Sequence, residues 1–362
     1  MSSFTVPFTL KQHTPIIHFQ ADQSGATLRA TELKPKFDKF LKKYAFNGNI
    51  PNEYKISKDR DALDYKVKIF SLGKLKKFKY KTYISKRERD DKSLKLGSYF
   101  GNLEAVTSDK VKVEFFSFNA KMLELIEKYF IDFILITNFG TRQNKGFGSF
   151  SVIKCNGEQI NYDVEKILKK YYSPIYKTSN SDPLSKILFD YQIIKSGRNK
   201  PYKKSLLFEY MCSKFNIGWE KKFLKKKFPC IIHGEHKPIK CEQSDDREFR
   251  YIRALLGLAE INEYRPKNGK KQIRIESVQR DPEDNKKPKY QRFKSPITFK
   301  VINNDIYLLC NDSYKIILNK KFKFTLKGES VTLYTPEEFD IFDFFSTKVA
   351  KELKYKEIKW TI

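Results

Sequence analysis

The segment from Val111 to Cys155 constrains the fold more than any other part of the chain. Val111, Val113 and Phe115 alternate, and then Met122, Leu125, Ile126, Tyr129, Phe130 and Phe133 recur at helical spacing after Asn119, a residue suited to cap a helix start. Period two predicts a strand with one buried face. Period 3.6 predicts a helix whose apolar stripe must be covered by a sheet. After a glycine-containing loop at 139–148, Phe150, Val152 and Cys155 predict a further strand. Upstream the same grammar recurs. Phe4, Val6, Phe8 and Leu10, then Ile16, Ile17 and Phe19, predict one strand region with an irregularity at Pro15. Leu28, Leu33, Phe37, Phe40, Leu41 and Tyr44 predict a helix, with Pro35 tolerated near its first turn and Gly48 beyond its end. Asp64 to Leu72 and Lys76 to Ile84 alternate on either side of Gly73 and predict a hairpin.

Strand, helix, two strands, strand, helix, strand is the order of a split βαβ, ferredoxin-like (RRM-like) α+β fold with one embellishment. The second half predicts strands at Phe189 to Lys195, Arg292 to Ile302, Asp305 to Cys310 and Tyr314 to Leu318. It predicts helices at 161–171, 204–215, 248–260 and 335–352, the last opened by a capping box of Thr335 and Glu338 with Pro336 at its first position. Two domains, 1–158 and 159–362, follow, with 263–294 as a long basic loop of the second.

The chain carries 72 Lys+Arg against 43 Asp+Glu, a formal net charge of +29 over 362 residues, more than solubility asks for. A polyanionic partner accounts for the excess, and nucleic acid binding with steep salt dependence is its consequence. Codon bias toward lysine accounts for part of it. At 40% hydrophobic and 15% aromatic residues the chain builds packed cores rather than a disordered polycation. On the predicted strand from Lys76, Lys77, Lys79 and Lys81 share one face and Phe78 and Tyr80 the other. That basic face is open to two readings: an RNA-contacting surface, or a solvated edge whose lysines block strand addition. Cys155, Cys212, Cys230, Cys241 and Cys310 have no disulfide-framework spacing, the N-terminus has no signal-like pattern, and the apolar run from Phe130 to Thr137 is too short to span a bilayer. The expectation is a cytoplasmic protein without a membrane partner.

The segment Asn138-Phe139-Gly140-Thr141-Arg142-Gln143-Asn144-Lys145-Gly146-Phe147-Gly148-Ser149-Phe150 is the most specific motif. It is not a Walker loop, because Lys145 precedes Gly146 and a strand follows. Glycines with interleaved cations let backbone N–H groups and positive charge converge on a phosphodiester. The plainer reading is a flexible surface loop.

From Gly140-Thr141-Arg142 through Gly146-Phe147-Gly148 this loop resembles the glycine-rich Arg/Lys loop of the RAMP superfamily of CRISPR-associated proteins. Thr14-Pro15-Ile16 and Gly25-Ala26-Thr27-Leu28-Arg29-Ala30-Thr31-Glu32-Leu33-Lys34 are similar to that family's first strand and first-helix start. Arg250 to Leu258 and Arg292-Phe293-Lys294-Ser295-Pro296-Ile297 resemble segments of the first-numbered RAMP subunit of type III-B effector complexes. The glycine pair that often follows the Thr-Pro-Ile is missing, and Gln143-Asn144 stand where more Arg is usual.

The resemblance implies two ferredoxin-like RAMP domains in a non-catalytic RNA-binding subunit, holding the 3′ part of a guide RNA or the guide–target duplex. Guide and target RNA and other RAMP and backbone subunits would be its partners, with no cofactor. Base pairing, rather than the protein, would read sequence. The residues it points to are Gly140, Arg142, Lys145, Gly146, Phe147 and Gly148, helped by Arg29, Lys34 and Lys36 and by Lys289, Arg292 and Lys294.

Two alternatives stay open: a metal-independent guide-processing endoribonuclease, for which His13 and His18 are the candidate acid and base, and a purely structural assembly subunit. His13 and His18 are an odd number apart, so on one regular strand they would face opposite ways. Asp22 and Asp38 offer no magnesium-binding pair. Cys230, His233, His236 and Cys241 could supply four zinc ligands, but the spacing fits no common finger, and no metal is assigned.

Overall fold

A computed structural model describes residues 4–18, 27–57, 60–81, 94–96, 103–199, 201–233, 248–264, 266, 269–290, 293 and 295–359. The architecture is mixed α/β, in two compact units. One gathers residues 1–188, 298–309 and 356–362, the other 189–297 and 310–355, so the chain passes between them more than once.

The first unit is organised by β1 (Thr5–Gln12), α1 (Ala30–Tyr44), β2 (Lys66–Ser71), β3 (Leu75–Lys81), β4 (Leu103–Ser108), β5 (Lys110–Phe116), α2 (Ala120–Ile136) and β6 (Phe150–Cys155). Its central sheet has the order β6, β1, β5, β2 with every pair antiparallel, and the short pair Glu158–Gln159 extends it beyond β6. Val6, Phe8 and Leu10 on β1 and Val111, Val113 and Phe115 on β5 point to one face, where both helices cover them. Phe37 of α1 sits 5.5 Å from Phe130 and 4.8 Å from Phe133 of α2, and Phe8 sits 4.5 Å from Phe130. Each such ring contributes about 2–3 kcal/mol by burial, and Phe37→Ala would cost about 3–5 kcal/mol. Asn119 caps α2, accepting the Met122 N–H.

The predicted hairpin about Gly73 does not form. β2 pairs with β5, Ile69 opposite Val113, while β3 pairs with β4, Phe78 opposite Ala105. The four strands are one long two-stranded ribbon, kinked where Gly73 comes within Cβ contact distance, 3.3 Å, of Asp109. Gly73 marks a close approach rather than a turn. Leu94–Leu96 pair with the other side of β3 at Lys79 to Lys81; Lys77 is exposed and pairs with Glu104 at 2.8 Å, and Phe78 packs inward. Ile16 makes an isolated bridge to Val106 instead of continuing a strand, and Phe19 and Ile84 lie outside the described residues. A second sheet of this unit orders Ile297–Ile302, Asp305–Cys310, Ile175–Ser179 and Lys356–Glu357.

The other unit centres on an antiparallel sheet of Ile261–Tyr264, Lys271–Ser277, Lys321–Leu326 and Glu329–Tyr334. Lys271–Ser277 corrects the reading of 263–294 as all loop: Ile273 and Ile275 are buried on one face, an alternation hidden by the flanking charges. Phe189 to Lys195 belong to a helix, Pro183–Lys195, not a strand; Asp182 accepts the Ser185 N–H, and Leu184, Ile187, Leu188, Ile193 and Ile194 are buried at helical spacing. Tyr314 to Leu318 form a 3-10 turn, Ser313–Ile317, in place of a strand, and 248–260 holds a short strand and a 3-10 turn, Ile252–Leu256, in place of a helix. The last helix opens at Asp340, which accepts the Phe342 and Asp343 N–H groups, because Thr335 is engaged elsewhere: its hydroxyl donates to Ile317 O and accepts the Lys320 N–H.

Candidate nucleic-acid interface

The glycine-rich segment is held by backbone bonds at both ends. Phe139 N–H donates to Gly148 O at 3.0 Å, Thr141 N–H to Ile17 O at 2.7 Å and Gly148 N–H to Pro15 O at 2.9 Å. Thr14 stands at its centre, its hydroxyl donating to Gly146 O at 2.6 Å and accepting the Ser149 N–H at 2.9 Å. The Glu32 carboxylate in the first turn of α1 accepts the Gly140 N–H at 2.8 Å. A loop pinned this way is a rigid shelf, which corrects the plainer expectation of flexibility. Gly140 and Gly148 take φ of +79° and +64°, and a Cβ on Gly140 would fall 2.5 Å from Ile17 O, so side chains are excluded for two reasons.

Arg142 sits at the tip with φ +57°, and its carbonyl accepts the Lys145 N–H at 2.8 Å, which sets the two cations on one turn. Burial and the Arg142 charge push the Lys145 ammonium down to about 8, and burial lowers the Arg142 guanidinium. Arg29, immediately before α1, has Nε and Nη2 buried without a hydrogen-bond partner among the described residues, as has the Thr141 hydroxyl. Positive charge and unmet donors thus collect where α1 meets the loop, a state that an oxyanion relieves.

Other expected contacts resolve differently. Lys36 spends its three donors on Glu32 (2.7 Å), Asn138 O (3.0 Å) and Gln143 Oε1 (3.0 Å), and lies over the Phe139 ring. Lys34 is held by Asp38 (3.1 Å) and Leu63 O (2.8 Å), over the Tyr65 ring. Both lysines tie α1 down instead of facing solvent. Phe147 is fully buried among Ile17, Ala105, Leu184 and Leu188, so it cannot stack on a base. Gly146 lets the Ile187 side chain approach, since a Cβ there would lie 2.7 Å from Ile187 Cδ1. Lys289 is exposed in the other unit; Arg292 and Lys294 lie outside the described residues.

His13 accepts the Asn303 N–H on Nδ1 (3.0 Å) and bonds Ser151 Oγ through Nε2 (2.8 Å); burial and the charges of Lys300 and Lys11 push its pKa down to about 3. His18 is buried with Nε2 on Thr27 O. Neither ring is placed to exchange protons with a bound strand. Asp38 is taken by Lys34 and the Tyr65 hydroxyl, and Asp22 lies outside the described residues. Of the four residues weighed as zinc ligands, Cys230 is buried, and His236, Cys241 and the His233 side chain lie outside the described residues. Among the described residues no cluster of His, Cys, Asp or Glu is arranged for a metal, and no helix is long and apolar enough to cross a membrane.

Sequence reasoning missed Glu32 and Thr14 as the loop's anchors, although both lie in the motifs quoted for the family resemblance. It also missed Lys300, fully buried, whose ammonium donates to Ile134 O (2.7 Å) and Thr137 O (2.9 Å) at the end of α2; burial puts it well below the usual lysine range. Nothing in the run Ile297 to Ile302 marks that lysine as interior.

Residues 3–198 match the family model of the Cmr1 N-terminal domain, and residues 202–360 that of the Cmr1 C-terminal domain. No curated protein sequence matches. Among solved structures the chain is similar to apo Cmr1 from Pyrococcus furiosus, at 11% identity and a TM-score of 0.43 over 98% of each chain. It is similar to a chain of a type III-B Cmr-beta complex bound to cognate target RNA and AMPPnP in the presence of ssDNA, at 11% identity and a TM-score of 0.42 over 96% of this chain and 98% of that one. A chain of Cmr-beta bound to cognate target RNA matches at 12% identity and a TM-score of 0.30, covering 43% of this chain and 60% of that one.

Proposed function

The chain belongs to the Cmr1 family, and from that premise we propose that it is a non-catalytic RNA-binding subunit of a type III-B CRISPR effector complex. In this reading it holds the 3′ part of the guide, or the guide–target duplex, beside other RAMP and backbone subunits. The order β–α–β–β–α–β around an all-antiparallel sheet supports reading the first unit as a ferredoxin-like RAMP domain. The observation that carries the function is the paired cations of the loop: Lys145 and Arg142 lie on one turn, where burial and the Arg142 charge lower the Lys145 ammonium, and the same loop carries the unmet Thr141 hydroxyl. A phosphodiester placed there reverses the repulsion and supplies the missing acceptors. Lys289, Arg292 and Lys294 provide a second basic stretch in this reading.

The contacts are to backbone, so affinity follows salt more than sequence. The test is binding of labelled guide RNA in EDTA at two salt concentrations, comparing wild type with Arg142→Ala/Lys145→Ala. Weaker binding and a shallower salt slope, by about 1.4 for two single-strand phosphate contacts, are expected; unchanged affinity would overturn the loop as the site. Cleavage of repeat RNA in EDTA that His13→Ala or His18→Ala abolishes would replace this reading by the endoribonuclease. The rings' existing bonds to Ser151, Asn303 and Thr27 weigh against that.

A further inference from the structure

The second unit contains a cavity of about 390 Å³, on the scale of a nucleotide-sized ligand, whose walls are almost wholly cationic and aromatic. Arg198, Lys204, Lys221, Lys222 and Lys225 line it together with Tyr202, Phe208 and Trp219. Lys203 also reaches it and pairs with Glu352 at 3.1 Å. None of the described lining residues is acidic.

Its construction is specific. A short antiparallel pair sets Arg198 opposite Lys203. Ser205 caps the helix Leu206–Phe215, which carries Phe208. Gly218 and Trp219 pair in parallel with Phe249 and Arg250, and Gly218 is needed there because a Cβ would meet the Phe249 ring at 2.6 Å. The Trp219 and Phe208 rings then stack, 5.1 Å apart at 24°. Glu220, the acid next to Trp219 in sequence, is turned fully inward: it accepts the Ile252 N–H at 3.0 Å and pairs with Arg253. The carboxylate that would have neutralised the wall is therefore spent behind it, and Lys221 lies 5.2 Å over the indole.

We infer that this cavity binds one unpaired nucleotide of an RNA strand, its base against Tyr202 and the Phe208–Trp219 stack and its phosphate on Lys221, Lys225 and Lys204. The inference rests on the RNA-binding reading but not on the glycine loop. Aromatic surface with several lysines and, among the described residues, no acid suits a base and a phosphate together, whereas bare phosphate would have no use for the rings. Tyr202 is 70% exposed, so the platform is open to an incoming base.

The chain has two tryptophans, so in full-length Trp360→Phe protein the remaining emission reports on Trp219. Short single-stranded oligouridylate and oligoadenylate, adenosine monophosphate and poly-glutamate are titrated in turn, with RNA anisotropy read in parallel. Saturable quenching by RNA is expected. Tyr202→Ala should weaken it about tenfold, the worth of one base stack, and Lys221→Ala/Lys225→Ala should lower the salt slope by about 1.4; all three substituted side chains lie at the wall surface, and a melting curve checks each fold. RNA that binds by anisotropy without quenching overturns the cavity and leaves the RNA-binding reading standing. Absence of binding in both signals overturns both. Adenosine monophosphate quenching at lower concentration than RNA would make it a free-nucleotide site, and equal displacement by poly-glutamate a mere polyanion patch; either result overturns the inference.

Discussion

Gly148 lies so close to Phe139 that a Cβ on it would fall 1.9 Å from the Phe139 carbonyl oxygen. The contact is mutual, since the Phe139 N–H donates to Gly148 O and closes the base of the loop. Gly148→Ala would therefore clash with backbone as well as adopt φ +64°, and should cost about 2–4 kcal/mol in urea unfolding. Gly157 has a similar positive φ, +87°, with nothing near its added Cβ, so Gly157→Ala should cost only about 1 kcal/mol. Equal costs at the two positions would mean that the loop base yields.

If the loop holds phosphate as proposed, Lys145 should make RNA binding sensitive to pH. In the free protein its ammonium loses its proton near 8, whereas a bound phosphate favours the charged form. Below pH 8 the charge is in place. As pH rises from 8 to 9.5 binding must take up a proton, and affinity should fall, by at most about tenfold per pH unit. Lys145→Arg should remove that decline, and a decline that persists in this variant would place its origin elsewhere.

His13 sets an acid limit on stability. Its folded pKa of about 3 lies below the 6.5 of an unfolded histidine, so between those values the unfolded chain binds a proton that the folded one refuses. Stability contributed by the neutral ring is complete above 6.5 and is lost as pH falls toward 3. His13→Asn keeps an acceptor for the Asn303 N–H without a titrating ring, so between pH 7 and 4.5 the variant should lose less unfolding free energy than wild type does. An unchanged pH dependence in the variant would assign the acid loss to carboxylates.

Local periodicity made the central elements legible. The stripes of α1 and α2 and the alternation of β1, β5 and β6 need only their own spacing, and each forms where the pattern predicts it. What failed depended on partners distant in sequence. Gly73 looks like a turn until β5 is seen to draw β2 to itself, and Phe147 looks like a stacking residue until Leu184 and Leu188 close over it. Phe189 to Lys195 alternate by chance, and only the Asp182 cap upstream reveals the helix. Within the loop the glycines and cations were legible as a motif. Which lysines were already engaged could have been read in part, because Glu32 and Asp38 stand four residues from Lys36 and Lys34.

The difference between the lysines that tie α1 down and the loop lysine proposed to meet phosphate separates two phenotypes that loss of binding alone would confuse. Lys36→Met removes the bonds from α1 to Asn138 O and Gln143, leaving a carbonyl and an amide oxygen short of a donor. It should destabilise the first unit by about 1–3 kcal/mol and weaken RNA binding through a loosened shelf. Since its ammonium is committed inside the protein, it releases no counterion, and the slope of log K against log salt should stay at the wild-type value. Lys145→Met differs in the second readout: its ammonium is the one proposed to meet phosphate, so the slope should fall by about 0.7. Melting curves and salt titrations on both variants decide the matter. If Lys36→Met also lowered the slope, its ammonium would be a phosphate contact, and the hydrogen bonds to Asn138 and Gln143 would have to break when RNA binds.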